Sequence, residues 1–279
     1  MSEAIVFDPT PCILGEGPLW HPEREQLFWF DIITRRMHTR GQHWDFDGHV
    51  SAAGWIDYDT LLVASEVALM RFDIASGDRT KIMDLEHDMA GTRSNDGRAD
   101  PQGGFWIGTM GLGAEAGHGS IWRYYRGELR HLYRDLAITN AISFAPDGTT
   151  AYFADTTTQQ IMRVALDAHG WPAGDPQVHI DLTGTDFHPD GAVVDAAGNL
   201  FSAQWGTGRV AVYDPRGAFI EHFAFPALHT SCPAFGGTDL YTLYVTSARQ
   251  GLTDPDDAQG ATYAVRTRYT GQREHRVIL

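Results

Sequence analysis

A chain of 279 residues can bury a sizeable core, and 43% hydrophobic with 20% charged residues is the composition of an ordinary globular protein. Its 36 acidic and 21 basic side chains give a formal net charge of −15, which repels phosphate backbones and anionic lipid, so no nucleic acid and no membrane are expected as partners. No segment approaches the roughly 20 apolar residues of a bilayer span, and MSEAIVFDPT carries neither a basic leader nor an apolar signal core. The expectation is a cytoplasmic protein, monomeric or weakly homo-oligomeric, with Cys12 and Cys232 as free thiols.

Along the chain, long amphipathic helical patterns are absent, and short apolar runs alternate with Gly, Pro and Asp turns. One unit recurs: a polar residue, a short strand, a turn of the Pro-x-x-Gly or Asp-x-x-Gly kind, then a hydrophobic strand ending in a small residue. These second strands read FWFD from Phe28, LLVA from Leu61, FWIG from Phe105, AYFA from Ala151, LFSA from Leu200 and LYVT from Leu243. Their spacing is about 45 residues, apart from a first interval of about 33, which is the period of propeller blades built from four short strands. Further strand pairs are expected in SIWRYYRGELRHLY from Ser120 and QIMRVALDAHGWP from Gln160. The sequence therefore predicts an all-β, six-bladed β-propeller forming a single domain over residues 1–279, with a β-sandwich pair as the rival that needs no regular period.

Roughly ten to twelve residues before each of those strands, where the inner strand of a blade begins, stand Glu16, Ser51, Asn95, Asn140, Asp190 and Cys232. Equivalent positions at one end of the inner strands converge on the central channel, which would bring two carboxylates and two carboxamides to one space. Such an oxygen-rich set suits one divalent metal ion, Ca²⁺, Mg²⁺, Mn²⁺ or, less selectively, Zn²⁺ or Fe²⁺. Without a cation, Glu16 and Asp190 would repel and one carboxyl would shift upward. The alternative for each residue is a turn cap at the propeller rim.

Five ordered motifs carry a resemblance across nearly the whole chain: LGEGPLWHPEREQLFWFDI, RSNDGRADPQGGFWIGTM, ITNAISFAPDGTTAYFADT, HPDGAVVDAAGNLFSAQWGTGRV and CPAFGGTDLYTLYVTSARQGL. In these the sequence resembles the senescence marker protein / gluconolactonase / regucalcin family of six-bladed propellers. The resemblance implies a metal-dependent hydrolase that opens sugar lactones to aldonic acids in sugar catabolism. It implies Glu16, Asn140 and Asp190 as metal ligands, and Arg93, Asn95 and Glu115 as contacts to a small-molecule sugar lactone; beside the ion Asp190 is also expected to act as the catalytic base toward the attacking water. The pattern is broken at Ala141, where the family usually has Gly; a methyl there is expected to narrow the backbone or trim the pocket.

Other chemistries lack their residues: there is no GxSxG elbow, HExxH, phosphate loop or paired CxxC. His21, His118, His188 and His229 read as surface or rim residues, Trp106 and Trp205 as inter-blade packing, Cys232 as a small buried thiol, and DPDD from Asp254 as a solvated turn. A non-catalytic calcium-binding propeller, or a propeller esterase or phosphotriesterase with a more apolar pocket, remain the alternatives to a lactonase.

Overall fold

The computed structural model describes residues 3–279. It is a six-bladed β-propeller of six four-stranded antiparallel sheets. The inner strands are Gly15–His21, Val50–Trp55, Thr92–Ala99, Thr139–Phe144, His188–Val194 and His229–Gly236, and each contacts the inner strands of both neighbouring blades. The first five blades each run outward in chain order, whereas the sixth takes its outermost strand from the N-terminus, where Ile5–Asp8 pairs with Thr262–Arg266. That pairing closes the ring by linking the two ends of the chain and leaves no open inter-blade edge.

The six second strands sit where the apolar runs placed them. The short first interval arises because the outer hairpin of the first blade is minimal, Arg36–Thr39 turning at Gly41 into Gln42–Asp45. In the fourth blade the expected second outer strand does not follow directly on Gln160–Ala165. Residues 167–171 form a turn in which the Asp167 carboxylate accepts the His169 and Trp171 N–H groups, and the outer strand begins at Gln177. The expected pairing is reduced to a short bridge of Leu166 with Pro172, where Ala173 N–H donates to the Ala165 carbonyl at 2.8 Å.

Alternation along each strand turns apolar side chains into the gaps between blades, producing buried clusters at every interface. Between the second and third blades lie Leu62, Leu69, Phe105, Ile107 and Tyr124, and between the fifth and sixth Phe201, Val210, Phe235, Val245 and Tyr263. Trp106 is fully buried and meets Phe144 edge-on at 5.5 Å between ring centroids, as expected of inter-blade packing. The expectation for His21 was wrong. It is fully buried, with Nε2 3.0 Å from the Asp57 carbonyl, and joins the first two blades.

Every inner strand contains one extra residue at the same height. The antiparallel register slips between Glu16 and Leu19, Val50 and Ala52, Ser94 and Gly97, Asn140 and Ser143, Pro189 and Ala192, and Thr230 and Pro233. A bulge re-aims side chains that regular pleating would send to opposite faces. At the other end of these strands the C-terminal segment crosses the bottom of the ring: Gln272 Nε2 donates to the Phe144 and Val194 carbonyls at 3.0 Å, and the Val277 and Ile278 N–H groups donate to Trp55 and Gly103 at 2.8 Å. Arg98, inside the channel, is ion-paired with Glu274 of that segment, both nearly buried. The channel is thereby stoppered at one end.

Candidate functional site

At the open end a cavity of ≈ 200 Å³ is lined by Glu16, Arg93, Asn95, Asn140, Thr156 and Asp190 on its polar side and by Leu14, Met110, Ala114, Ile138 and Trp205 on its apolar side, with Gln250 completing the lining. Four blades supply the polar groups of the inner strands. Glu16 and Asn140 are the last paired residues before the bulges of the first and fourth blades, which lie opposite each other. Asn95 and Asp190 lie one position further on, inside the bulges of the third and fifth blades. The sequence treated all four as one equivalent position, and the bulge is why residues one apart still face the same cavity.

Two backbone conformations produce this. After Glu16 and Asn140 the chain turns through the left-handed region, Gly17 at φ 52° and Ala141 at φ 58°. Gly17 is needed twice over, since a Cβ there would also collide with the Ser51 carbonyl. Upstream, the Asp31 carboxylate accepts the Ile13 and Leu14 N–H groups at 2.9 and 3.1 Å, and in the fourth blade Asp155 does the same for Ala137 and Ile138 at 2.8 and 3.3 Å. Both strands are thus pinned two residues before Glu16 and Asn140.

Side-chain hydrogen bonds then fix the polar groups relative to one another. Arg93 Nη1 donates to Asn95 Oδ1 at 2.7 Å and to the Ser94 carbonyl at 2.9 Å. Asn95 Nδ2 donates to the Thr139 carbonyl at 2.8 Å and to Asn140 Oδ1 at 3.1 Å, so the amide oxygen of Asn140 is turned inward. Behind them Asp96 Oδ2 accepts the Ile142 N–H at 2.7 Å.

Burial sets the electrostatics. It pushes the Glu16 carboxyl well above the usual carboxylate range, with the Asp190 and Asp96 charges adding to it and the Gly17 N–H and Arg93 opposing. Asp190 is raised by burial and by Asp96, against the Gly191 N–H, Arg93 and a hydrogen bond from the Asn140 side chain. Burial raises Asp96 to about 6 and lowers Arg93 to about 10, in the latter case against the attraction of Glu16 and Asp190. Three carboxyl groups therefore crowd a site whose lining guanidinium is Arg93, while Arg98 beneath is committed to Glu274. Among the described residues no group of three His, Cys, Asp or Glu side chains is placed to hold a metal, so an ion here would be held by the Glu16 and Asp190 carboxylates with the Asn140 amide oxygen. That donor set and its excess negative charge fit a hard divalent cation.

A family model described as SMP-30/Gluconolactonase/LRE-like region matches residues 14–249. The chain belongs to this family. Among SMP-30/gluconolactonase relatives, the L-arabinolactonase of Azospirillum brasilense is 34% identical over 97% of this chain and 94% of its own. The pentonolactonase of Haloferax volcanii is 32% identical over 99% and 98%. The crystal structure of a calcium-binding protein, regucalcin, from Agrobacterium tumefaciens superposes with a TM-score of 0.97 at 40% identity, over 100% of this chain and 98% of that one.

Within this family fold, Glu16, Arg93, Asn95, Asn140 and Asp190 come together at the cavity, and Glu115 does not line it. Glu115 is exposed and folds its carboxylate back onto the Gly113 N–H at 3.0 Å, leaving Ala114 as the loop's lining residue. Ser51 instead donates to Ser94 Oγ at 2.8 Å between blades, and Cys232 is packed against Gly191, where a Cβ would strike its sulfur. His188 is exposed and His118 lies in the exposed loop. Trp205 packs between blades as expected, against Leu14, Ile32 and Ala248, and it also lines the cavity and stacks on His229 with ring centroids 4.2 Å apart. Ala141 lines no part of the cavity: its methyl is fully buried among Tyr152, Ala154 and Ala192, so it does not trim the pocket.

Leu14 and Ile138 escaped the sequence reading although each stands two residues before a predicted ligand, a symmetry the repeat already contained. Asp96 was visible in RSNDG as a neighbour of Asn95, but nothing in the sequence told that it would be buried. Gln250 sits in the long segment after the last second strand, where no repeat marks it.

Proposed function

We propose that this protein is a divalent-metal-dependent hydrolase of a sugar lactone, with the ion held by Glu16, Asn140 and Asp190. One observation carries the reading: two buried carboxylates from different blades face a single small cavity that also presents a guanidinium and two carboxamides. The names of the lactonase relatives support the reaction class, and the cavity volume suits a small ligand.

When bound, the cation would supply Lewis-acid polarisation of the lactone carbonyl and acidification of water. The chain's own residues do the rest. Arg93, held by Asn95 and the Ser94 carbonyl, keeps a fixed guanidinium toward the substrate and stabilises negative charge as it develops on the carbonyl oxygen. Asp190 takes a proton from the water whose oxygen attacks the carbonyl carbon. As the ring C–O bond breaks, that proton passes to the departing alkoxide oxygen, so the products are a carboxylic acid and a free hydroxyl. The apolar side chains around the mouth limit the number of waters beside the reacting bond.

A purely metal-buffering propeller would not require Arg93 to be desolvated against the carboxylates, which costs that side chain part of its basicity. The assignment is checked with Asp190→Ala. Lactone opening, followed by acid release, should fall by about 10³-fold or more while circular dichroism and thermal unfolding stay those of a folded propeller. Near wild-type turnover by that variant would remove Asp190 from the mechanism.

A further inference from the structure

The first and fourth blades, opposite each other in the ring, are built alike up to their site residues: Leu14 and Ile138, Glu16 and Asn140, Gly17 and Ala141, and Asp31 and Asp155 correspond. The residue after each of those aspartates also corresponds. Ile32 N–H donates to the Leu14 carbonyl at 3.0 Å, and Thr156 N–H donates to the Ile138 carbonyl at 2.9 Å. In the first blade that position holds a fully buried isoleucine packed with Leu14 and Ala248. The fold itself therefore accepts an apolar side chain there, and the hydroxyl of Thr156 needs another reason.

Its contacts give one. Thr156 Oγ1 accepts from Asn140 Nδ2 at 2.8 Å and donates to the Pro189 carbonyl at 2.7 Å, which ties the fourth blade's site amide to the residue just before Asp190. A carboxylate such as Glu16 presents oxygen whichever way it is rotated, whereas a carboxamide presents oxygen one way and N–H the other. We infer that Thr156 is a positioning residue for the divalent-cation site: by accepting an N–H of Asn140 it fixes which end of the amide is nitrogen, so that Oδ1 is the end left to the ion, and it ties together the Asn140 and Asp190 strands.

This inference rests on the reading of Asn140 as a ligand, and the test separates the two. Calorimetric titration of metal-stripped full-length protein with Mn²⁺ and with Ca²⁺ gives the affinity directly, without an activity assay. Thr156→Val, which keeps the shape and removes the hydroxyl, should weaken binding by about 10- to 100-fold, and Thr156→Ser should restore it to within about threefold of wild type. In an Asn140→Asp background, where the side chain no longer has an end to be oriented, Thr156→Val should lose its effect or reverse it, because one hydroxyl proton cannot satisfy both the introduced carboxylate and the Pro189 carbonyl. This second background also serves if Thr156→Val alone folds poorly. Wild-type affinity in Thr156→Val, or an equal loss in both backgrounds, would overturn the positioning role. A wild-type protein that binds neither ion, or an Asn140→Ala variant that binds normally, would instead overturn the ligand reading beneath it.

Discussion

Asp96 shows how burial can outweigh the hydrogen bonds and the nearby cation that favour a charged carboxylate. Its carboxyl is raised from 3.8 to about 6, mainly by burial, which corresponds to roughly 3 kcal/mol between its two protonation states. Because the folded value lies above the unfolded one, the stability it contributes is fully present below about pH 4 and is lost as the pH rises through about 6. Exposed carboxylates such as Asp239 behave oppositely, so the comparison must be made against Asp96→Asn, whose amide can still accept the Ile142 N–H. In metal-stripped protein, the stability of wild type minus that of Asp96→Asn should fall by up to about 3 kcal/mol between pH 4 and pH 7 in urea titrations. A pH-independent difference would mean that Asp96 does not titrate in that range.

Not far along the next inner strand, Ala141 holds a left-handed conformation that costs an L-residue roughly 1–2 kcal/mol. Replacement by Gly relieves that strain, but it frees the unfolded chain and removes a buried methyl, each worth up to about 1 kcal/mol. Ala141→Gly should therefore change stability by less than about 1 kcal/mol and kcat/KM by less than about twofold, because the methyl points into the core rather than the cavity. Ala141→Val, β-branched in the same conformation and in a filled core, should cost more than about 2 kcal/mol by urea unfolding. A large change of substrate preference in Ala141→Gly would contradict this placement.

Among the elements, the inner strand and its bulge are the functional unit. Strand-forming runs and their turns were legible because period-2 alternation and Pro-x-x-Gly turns are local signals, and they located all six second strands. The polar residues opening the inner strands were legible for the same reason. What stayed hidden was the bulge, since one extra residue per strand changes facing without changing composition, and it made Cys232 and Ser51 look like ring members. The closing strand Ile5–Asp8 and the C-terminal segment were hidden too, because their partners lie at the far end of the chain or across several blades.

That C-terminal segment supports its own prediction. Arg98 and Glu274 are a nearly buried pair, so Glu274→Ala leaves a guanidinium in the channel without its counter-charge and should cost about 3–5 kcal/mol of unfolding free energy. Asp84→Ala, which breaks the exposed Lys81 pair, should cost less than about 1 kcal/mol and serves as the control. Equal losses in the two variants would show that the C-terminal stopper is not an anchor.

In the molecule as a whole, six blades bring side chains from distant parts of one chain to a common axis, from Glu16 near the start to Gln250 near the end. Radial closure makes such a constellation rigid, because each inner strand is held by both neighbours. No helix among the described residues is long and apolar enough to cross a membrane. The net charge of −15 should draw divalent cations toward the protein and weaken its affinity for anionic surfaces.

The proposed chemistry turns on Glu16, Asn140 and Asp190 holding a divalent ion on which lactone hydrolysis depends. Acid release from a panel of pentono- and hexono-lactones can be followed with metal-stripped protein, before and after addition of one equivalent of Mn²⁺, Ca²⁺, Zn²⁺ or Mg²⁺. Stripping should lower the rate by at least about 10²-fold, and a single equivalent of at least one ion should restore it, with no recovery in Glu16→Gln or Asp190→Asn. Full-rate lactone opening by the stripped wild-type protein would show that the reaction does not need the ion.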